Sequence, residues 1–573
     1  MKYLIHFFKK YIKESLLAPL FKMTEALFDL FVPIVVAGII DTGIANGDKK
    51  YIAVHFAILI AMAIFGLISC VVAQYYAAKA AVGTASGLRH SLFEHIETLS
   101  FSEIDTIGAS TLITRLTSDV LSVQNGINMF LRLFLRSPFI VFGAMIMAFT
   151  IDRTAGLIFA AAISLLFLIV FGIMFITKPR YKKSMESVDT VTSSVRGNLE
   201  GVRVIRAFGK EKSETEEFWV ENRRLNRLQI IAGRLSALTN PLCYVAVNAA
   251  IILILAVGAQ KVQGGVLLSG NVVALINYLS QILTELVKLA NLIVLLSRAM
   301  VSCGRIGKVL DTESSMSYGA VTSANGDTVI EFDNASLKYM GAGGESLSDI
   351  SFSLKRGETL GIIGGTGSGK STAAGLAARF YDATRGKVCF MGHDIKEWDR
   401  KALRNKISVV MQKTQLFAGT VRSNLLYGNP DADEADMWEA LRAAQAEGFV
   451  REKPGMLDAA VEQSGRNLSG GQRQRLSVAR ALISKPELLI LDDSSSALDY
   501  KTDAEMRRTV TALPYKPTMI IISQRTAAME NADKILVLED GEAAGFGTHE
   551  ELLKSCPVYR EIYNCAAGGE RNE

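Results

Sequence analysis

A glycine-rich stretch in the second half of the chain has the composition of a phosphate-binding loop. Residues 364–371 read GGTGSGKS and fit the pattern GxxxxGK[ST], after the apolar segment 359–363 and before a helical pattern. Glycines let backbone N–H groups turn towards phosphate oxygens, a lysine neutralises phosphate charge and a serine hydroxyl can bind Mg²⁺. The residues predicted to bind the polyphosphate of ATP are Gly364, Thr366, Gly367, Ser368, Gly369, Lys370, Ser371 and Thr372.

A second segment has the residue types that complete such a site. Residues 488–492 read LLILD, an apolar strand pattern that ends in the carboxylate of Asp492. Nucleotide-hydrolysing proteins with a phosphate-binding loop hold Mg²⁺ through a carboxylate at this position. The two segments together predict an ATP and Mg²⁺ site with Ser371 and Asp492 near the metal.

The pentapeptide 468–472, LSGGQ, lies between these two segments, and here the sequence resembles the ATP-binding-cassette (ABC) ATPases. The resemblance implies that Tyr339 stacks on adenine and that Gln412 senses Mg²⁺ and the membrane domain. Residues 496–499, SALD, resemble the loop that contacts the second ATPase domain. The signature residues implied to meet the γ-phosphate of ATP bound to an opposite chain are Ser469, Gly470, Gly471 and Gln472.

Two positions depart from the family pattern, and both are close to the expected chemistry. The family usually has a glutamate after the magnesium aspartate and a histidine after the strand segment 518–523, whereas this chain has Asp493 and Gln524. A shorter carboxylate misplaces the attacking water, and a misplacement near 1 Å costs on the order of 10²-fold in rate. Gln524 donates a hydrogen bond but carries no charge. Both changes predict slow hydrolysis at this chain's own ATP site.

The first half of the 573-residue chain is apolar enough to cross a membrane several times. The runs 53–78 and 155–177 contain no Asp, Glu, Lys or Arg, and each exceeds the ~20 residues that a bilayer requires. Four less uniform stretches bring the total to six; they are 17–41, about 130–150, about 236–260 and about 271–297. The sequence therefore predicts an all-α bundle of six transmembrane helices.

Basic residues indicate how this bundle is oriented. Lys9, Lys10 and Lys13 precede the first stretch, and the long segment 178–234 is rich in Lys and Arg, whereas the loops near 42–50, 151–154 and 261–270 are short. Lys and Arg near membrane spans favour the cytoplasmic side. We expect a multi-pass protein of the cytoplasmic membrane, with both termini and the ATPase domain in the cytoplasm.

The predicted fold class is a six-helix transmembrane domain of the ABC exporter type followed by an α/β P-loop nucleotide-binding domain. Short Val-, Ile- and Leu-rich segments after residue 327 alternate with helical patterns, as in a largely parallel sheet. We predict a transmembrane domain over 1–300, a linker over 301–326, the nucleotide-binding domain over 327–565 and a tail over 566–573. The resemblance also implies two intracellular extensions, around 88–120 and 199–218, whose tips dock on ATPase domains.

The combined features favour one half of a heterodimeric exporter, in which this chain carries a degenerate ATP site and supplies an intact LSGGQ to a different partner chain. The alternatives are a slow homodimeric exporter of lipid or peptide and an ATP-gated channel or regulator. Export of a drug-like or lipophilic substrate rests on the resemblance to bacterial heterodimeric multidrug exporters. The net charge of +5 is modest and its basic residues sit beside spans, so no nucleic-acid partner is expected.

Charged and amide residues at membrane depth are costly and often functional. They are Glu25 and Asp29 in the first stretch, Asn240 and Asn248 in the fifth, and Glu285 with Lys288 in the sixth. Glu285 and Lys288 are spaced to pair on one helix face. None of these residues identifies the substrate.

Overall fold

The computed structural model describes residues 2–494 and 498–570, which form two compact units. Unit 1 consists of Met1–Glu97 and Ser110–Thr312, and unit 2 consists of Thr98–Ala109 and Glu313–Glu573. The short segment Thr98–Ala109 therefore belongs to the second unit although it is flanked in sequence by helices of the first.

Within the described residues, six helical segments are long and apolar enough to cross a membrane, which confirms the six stretches predicted from sequence. We call them the first to sixth spans: Ile12–Ile44, Lys49–Thr98, Ala109–Ile151, Arg153–Glu200, Glu211–Gln263 and Ser269–Leu310. The shortest has 33 residues, more than the ~20 that a bilayer requires. The helices therefore continue well beyond the hydrocarbon layer.

The chain up to Leu310 is largely helical, both in the six spans and in short segments outside them, with π-helical turns at Ile39–Ile44 and Arg115–Asp119. In chain order the α-helices up to Leu310 are α1 Lys2–Lys9, α2 Ile12–Gly38, α3 Lys49–Thr98, α4 Phe101–Ile107, α5 Ala109–Thr114, α6 Val120–Leu133, α7 Arg136–Ile151, α8 Arg153–Glu200, α9 Val202–Ala207, α10 Glu211–Ala237, α11 Thr239–Gln263 and α12 Ser269–Leu310. Tyr278 of α12 is fully buried and donates a hydrogen bond to the carbonyl oxygen of Leu30 in α2 at 2.5 Å. This contact ties the first span to the sixth.

Unit 2 contains two main sheets. Its strands are β1 Thr328–Leu337, β2 Leu347–Lys355, β3 Thr359–Gly364, β4 Arg385–Phe390, β5 His393–Asp394, β6 Ile407–Val410, β7 Gly419–Thr420, β8 Ala460–Val461, β9 Leu488–Asp492, β10 Thr518–Ile522, β11 Lys534–Glu539 and β12 Glu542–Gly547. One sheet has the order β12-β11-β3-β10-β9-β6 and is parallel except at β12, while β2-β1-β4-β5 is antiparallel. The predicted α/β architecture with a largely parallel sheet is confirmed.

Helices cover the parallel sheet of unit 2. They are α13 Lys370–Ala377, α14 Arg400–Lys406, α15 Val421–Leu426, α16 Glu434–Ala443, α17 Glu447–Arg451, α18 Gly470–Leu482, α19 Tyr500–Thr511, α20 His549–Ser555 and α21 Pro557–Glu570. The sheet needs this cover because β3 is buried on both faces along its whole length.

Three element boundaries differ from those expected from sequence. Helix α12 continues to Leu310, so residues 301–310 are helical rather than linker, and α21 extends past residue 565 to Glu570. The segment Thr98–Ala109 clusters with unit 2 rather than with the transmembrane unit. Hydropathy marks only the part of a helix that lies in hydrocarbon, and it does not indicate where a polar helix continues or docks.

Candidate functional site

The parallel sheet brings the predicted nucleotide residues to one edge. Ile522 at the end of β10 pairs with Ile362 of β3 on one side and with Asp492 of β9 on the other. Val410 at the end of β6 pairs with Leu491 of β9. The loops after these four strands therefore leave the sheet side by side, which is where ligands bind in open α/β sheets.

The loop after β3 requires glycine at particular positions. Gly367 and Gly369 have φ angles of +87° and +94°, in the left-handed region that favours glycine. A Cβ on Gly364 would lie 2.1 Å from the carbonyl oxygen of Leu538. Gly369 directly precedes α13, so the loop leads into a helix N-terminus, which attracts anions. This backbone fits a polyphosphate.

Lys370 places its ammonium group over this loop. Its Nζ donates to the carbonyl oxygens of Gly364 at 2.9 Å and of Gly365 at 2.5 Å. Burial lowers the pKa of Lys370, although the negative charges of Asp492 and Asp493 oppose the shift. The side chain is positioned to exchange these carbonyl contacts for phosphate oxygens.

Ser371 and Asp492 lie in direct contact at the edge of the sheet. The Ser371 hydroxyl donates to Oδ1 of Asp492 at 3.2 Å. Burial raises the pKa of Asp492; the Ser371 hydrogen bond opposes the shift and the negative charge of Asp493 adds to it. A hydroxyl and a carboxylate are the oxygen ligands that Mg²⁺ prefers, so these two residues fit a magnesium ion beside the phosphate loop.

Asp493, predicted to stand in for the family's glutamate, adjoins Gln412. The Nε2 of Gln412 donates to Oδ2 of Asp493 at 3.2 Å, and the backbone N–H of Asp493 donates to the carbonyl oxygen of Ile522 at 2.9 Å. Asp493 has a φ of +46°, a left-handed conformation that Asp tolerates better than most residues. Gln524 is exposed in the loop that follows β10, next to the end of β9.

Tyr339 lies beside the start of α13. Its hydroxyl donates to Oγ1 of Thr372 at 3.2 Å, and its ring packs edge-on against Tyr381 with centroids 5.0 Å apart. The ring is only partly buried, so part of its surface stays accessible beside the loop. Stacking of Tyr339 on adenine stays a prediction.

The signature pentapeptide forms the exposed N-terminus of α18. Ser469 caps this helix: the backbone N–H of Gln472 donates to the Ser469 hydroxyl at 3.2 Å, and the Ser469 N–H donates to Oε1 of Gln472 at 3.0 Å. Among the described residues, no hydrogen bond joins the pentapeptide to the loop of Gly364–Ser371. Of the predicted dimer-contacting loop, Ser496 and Ala497 lie outside the described residues.

The tip of the first predicted extension packs on the ATPase domain of its own chain within unit 2. The Tyr381 hydroxyl donates to Oδ2 of Asp105 at 2.6 Å, and the rings of Phe101 and Phe380 are 4.6 Å apart. Ser100 and Glu103 form a capping box at the start of α4. Burial raises the pKa of Tyr381, and the Asp105 carboxylate raises it further. The tip of the second extension, α9, belongs to unit 1.

The three carboxylates predicted at membrane depth meet at a residue that sequence reasoning missed. Arg136, at the start of α7, forms ion pairs with the carboxylates of Glu25, Asp29 and Glu285. Together with Lys22 and Lys288, which pair with Glu25 and Glu285, these residues form what we call the ion network. The available signal was a pair of arginines, Arg132 and Arg136, early in the third apolar stretch. Asn248 instead donates to the carbonyl oxygen of Tyr244 on its own helix.

Comparison with known protein families identifies the family of both units. Residues 15–286 match the model of the ABC transporter transmembrane region, and residues 347–496 match the ABC transporter model for the ATP-binding part. The chain belongs to the ABC transporter family, as a half-transporter with one transmembrane domain and one ATP-binding domain, and it couples ATP hydrolysis to transport.

Relatives over the full length support this membership. The chain is 33% identical over 573 residues to the uncharacterized ABC transporter ATP-binding protein YfiB of Bacillus subtilis, covering 100% of both chains. It is 28% identical over 541 residues to the ATP-dependent lipid A-core flippase of Yersinia pestis, covering 94% of this chain and 93% of the flippase. A solved bacterial Atm1-family ABC exporter with ATP bound has the same fold, with a TM-score of 0.79 at 22% identity over 98% of each chain.

Proposed function

We propose that this chain is one half of a heterodimeric exporter in the cytoplasmic membrane, with its ATPase domain and both termini in the cytoplasm. Its own phosphate loop binds MgATP and hydrolyses it slowly. Its intact LSGGQ, with Ser469 at an exposed helix N-terminus, completes the faster site of a different partner chain. The substrate is drug-like or lipophilic.

The observation that carries this proposal is the position of Asp493. Its carboxylate adjoins the magnesium aspartate and is bonded by Gln412 at 3.2 Å, as expected for the residue that positions water. Its side chain is one methylene shorter than that of glutamate. The left-handed backbone at Asp493 sets the direction in which this side chain projects. Gln524 on the neighbouring strand end adds no charge that would compensate.

A homodimeric lipid exporter is the second candidate. It is favoured by the likeness to a lipid A-core flippase over 94% of the chain, and Asp493 still offers a carboxylate. In a homodimer the two ATP sites are identical, and each contains Asp493 from one chain and LSGGQ from the other. ATP turnover would therefore depend equally on Asp493 and on LSGGQ.

The ATPase rate separates these candidates. We expect little turnover from the purified chain alone, and fast turnover when it is co-purified with a half-transporter that supplies Glu and His at the two positions. The double variant Asp493→Glu, Gln524→His should raise turnover of the lone chain by on the order of 10²-fold.

Two single variants in the mixed complex sharpen the test. Ser469→Ala should remove most of the turnover because it damages the partner's site, whereas Asp493→Asn should change turnover little. Substantial turnover by the unmodified chain alone, abolished equally by Ser469→Ala and by Asp493→Asn, would overturn the heterodimer and establish the homodimer.

A further inference from the structure

Arg136 is the centre of the ion network. It comes from the third span, while its three carboxylate partners come from the first and sixth. Its Nη1 lies 2.5 Å from Oε1 of Glu285, and its Nη2 lies 2.9 Å from Oδ2 of Asp29 and 3.7 Å from Oε1 of Glu25. The Arg136 side chain is 11% exposed. A buried guanidinium of this kind needs such partners, because an unpaired charge is costly there.

The remaining members balance the charge. Lys288 donates to Oε1 of Glu285 at 2.9 Å, Ser137 donates to Oε2 of the same carboxylate at 2.7 Å, and Lys22 donates to Glu25. Three basic and three acidic groups give the network no formal net charge. A ligand that also has balanced charges can enter without leaving an uncompensated charge behind.

The network lies inside the hydrocarbon thickness. In all three spans, about 15 residues separate it from the end that bears a short loop: residues 30–44, 137–151 and 269–284. At 1.5 Å per residue this distance is about 22 Å. A hydrocarbon core is about 30 Å thick, so when the short-loop ends are placed at its boundary the charges lie inside it, in the half farther from the short loops.

The two ends of the network have opposite charge and are exposed to solvent in the single chain. The side chains of Asp29 and Lys288 are each 43% exposed, whereas the side chain of Glu285 between them is 4% exposed. Charged side chains at membrane depth face a bundle interior or a water-filled cavity rather than lipid tails. The surface beside Asp29 and Lys288 therefore has the character of a transport pathway.

Two buried polar atoms of the same region lack a hydrogen-bond partner among the described residues. They are Nε of Arg136, a donor, and Oε1 of Gln281, an acceptor. The Nε2 of Gln281 donates to the carbonyl oxygen of Asp29 at 3.2 Å, which places this amide beside the acidic end. Buried polar atoms are normally paired, so one donor and one acceptor are available to a ligand.

Apolar surface is present at the same depth of the first span. Leu27, Phe31 and Ile34 are 42%, 47% and 37% exposed along the face of α2 that points away from Asp29. The acyl chains of an amphiphile can stay in hydrocarbon at this depth while its headgroup reaches the charges.

We propose that the ion network binds the headgroup of a zwitterionic amphiphile, with the cationic group at Asp29 and the anionic group at Lys288 and Nε of Arg136. The inference rests on the proposed export function and deepens it by naming the substrate class. A purely anionic or purely cationic headgroup matches only one end.

Direct binding to the full-length chain in detergent, without ATP, tests the proposal independently of ATPase asymmetry. Short-chain phosphatidylethanolamine and phosphatidylglycerol with identical acyl chains are the probes, and soluble glycerophosphoethanolamine, which has the same net-neutral headgroup, is the competitor. We expect the zwitterionic lipid to bind at least about tenfold more tightly, the equivalent of one hydrogen bond to a charged group. Glycerophosphoethanolamine should displace it, because the charges of the headgroup make the contacts; zwitterionic lipid that an excess of this competitor does not displace would count against a headgroup site.

Variants locate the binding to the two ends. Asp29→Asn should remove most of the preference for the zwitterionic lipid, because only that lipid has the cationic group assigned to Asp29. Lys288→Gln should weaken the binding of both lipids, because both have the phosphate, and Lys288→Arg should retain it. The matched controls are Glu186→Gln and Lys182→Gln, which remove the same charges from an exposed pair 4.0 Å apart on the fourth span. Equal binding of both lipids by the unmodified chain, or variants at Asp29 and Lys288 that bind like the controls, would overturn the proposal. Failure of the heterodimer would leave these results unchanged.

Discussion

The nucleotide site and the ion network both hold partly buried charges, yet they are assembled in different ways. The nucleotide site takes Lys370 and Ser371 from one continuous loop and adds Asp492 from a neighbouring strand end. The ion network takes single residues from three spans and joins them at Arg136. The first is organised by backbone N–H groups and a sheet edge, whereas the second depends on mutual pairing of side chains. We therefore expect the ion network to be the more sensitive to loss of one charge.

The largest effect should come from removing the centre of the ion network. Arg136→Met leaves Glu25, Asp29 and Glu285 without their shared partner, and breaking a buried ion pair costs about 3–5 kcal/mol. Thermal unfolding of the chain in detergent measures this as a large fall in Tm. Lys182→Met, at an exposed pair, is the control and should leave Tm unchanged. A Tm for Arg136→Met equal to that of the control would show that the network does not stabilise the bundle.

Removing the charge of the phosphate loop should reduce binding without unfolding unit 2. Lys370→Met loses a hydrogen bond to charged phosphate, which corresponds to roughly a 10- to 100-fold weaker Kd for ATP. Equilibrium titration with a fluorescent ATP analogue measures the change, and Lys401→Met on the exposed face of α14 is the matched control. An unchanged Kd would contradict the assignment of this loop as the phosphate site.

The pH range of nucleotide binding should be narrowed at both ends. Burial raises the pKa of Asp492, and the ionised form of this carboxyl is the one that binds Mg²⁺. As the pH is lowered, the Mg²⁺-dependent affinity for ATP should therefore begin to fall at a higher pH than it would with an ordinary aspartate. Below the pKa the affinity should fall by up to about tenfold per pH unit. Burial lowers the pKa of Lys370, so affinity should also fall earlier on the alkaline side.

Titrations with and without Mg²⁺ over the acidic range test this expectation. Asp492→Asn should abolish the acid-side Mg²⁺ effect, because it removes the ionisable group. An acid-side loss that persists unchanged in this variant would assign the effect to another group.

The smallest effect concerns the docked tip of the first extension. Tyr381→Phe removes the hydrogen bond to Asp105, worth about 1 kcal/mol at a partly exposed position, while the packing of Phe101 on Phe380 remains. Hydrogen exchange across Thr98–Ala109 should accelerate by roughly fivefold. Tyr427→Phe, at an exposed ring of the same unit, is the control, and equal exchange in both variants would show that the hydroxyl does not hold the tip.

The nucleotide site could be predicted from sequence because its residues lie in short motifs. The loop 364–371 and the strand 488–492 carry their chemistry in consecutive residues, and the resemblance to ABC ATPases supplied Tyr339 and Gln412. The structure places Gln412 on Asp493 at 3.2 Å and Tyr339 on Thr372 at 3.2 Å, although their roles stay predictions. No motif indicated that Asp493 adopts a left-handed backbone, because a positive φ at a single non-glycine residue leaves no pattern in the sequence.

The six spans, the α/β domain and the residues of the phosphate loop could be predicted from the amino-acid sequence, because hydropathy, strand patterns and glycine spacing are local properties. The folded structure was needed to show that Glu25, Asp29 and Glu285 share Arg136, and that Phe101 and Asp105 pack with the ATPase domain in unit 2. These contacts join residues more than 100 positions apart, such as Arg136 and Glu285. Pairing over that distance is set by helix packing, which leaves no periodic signal in the chain.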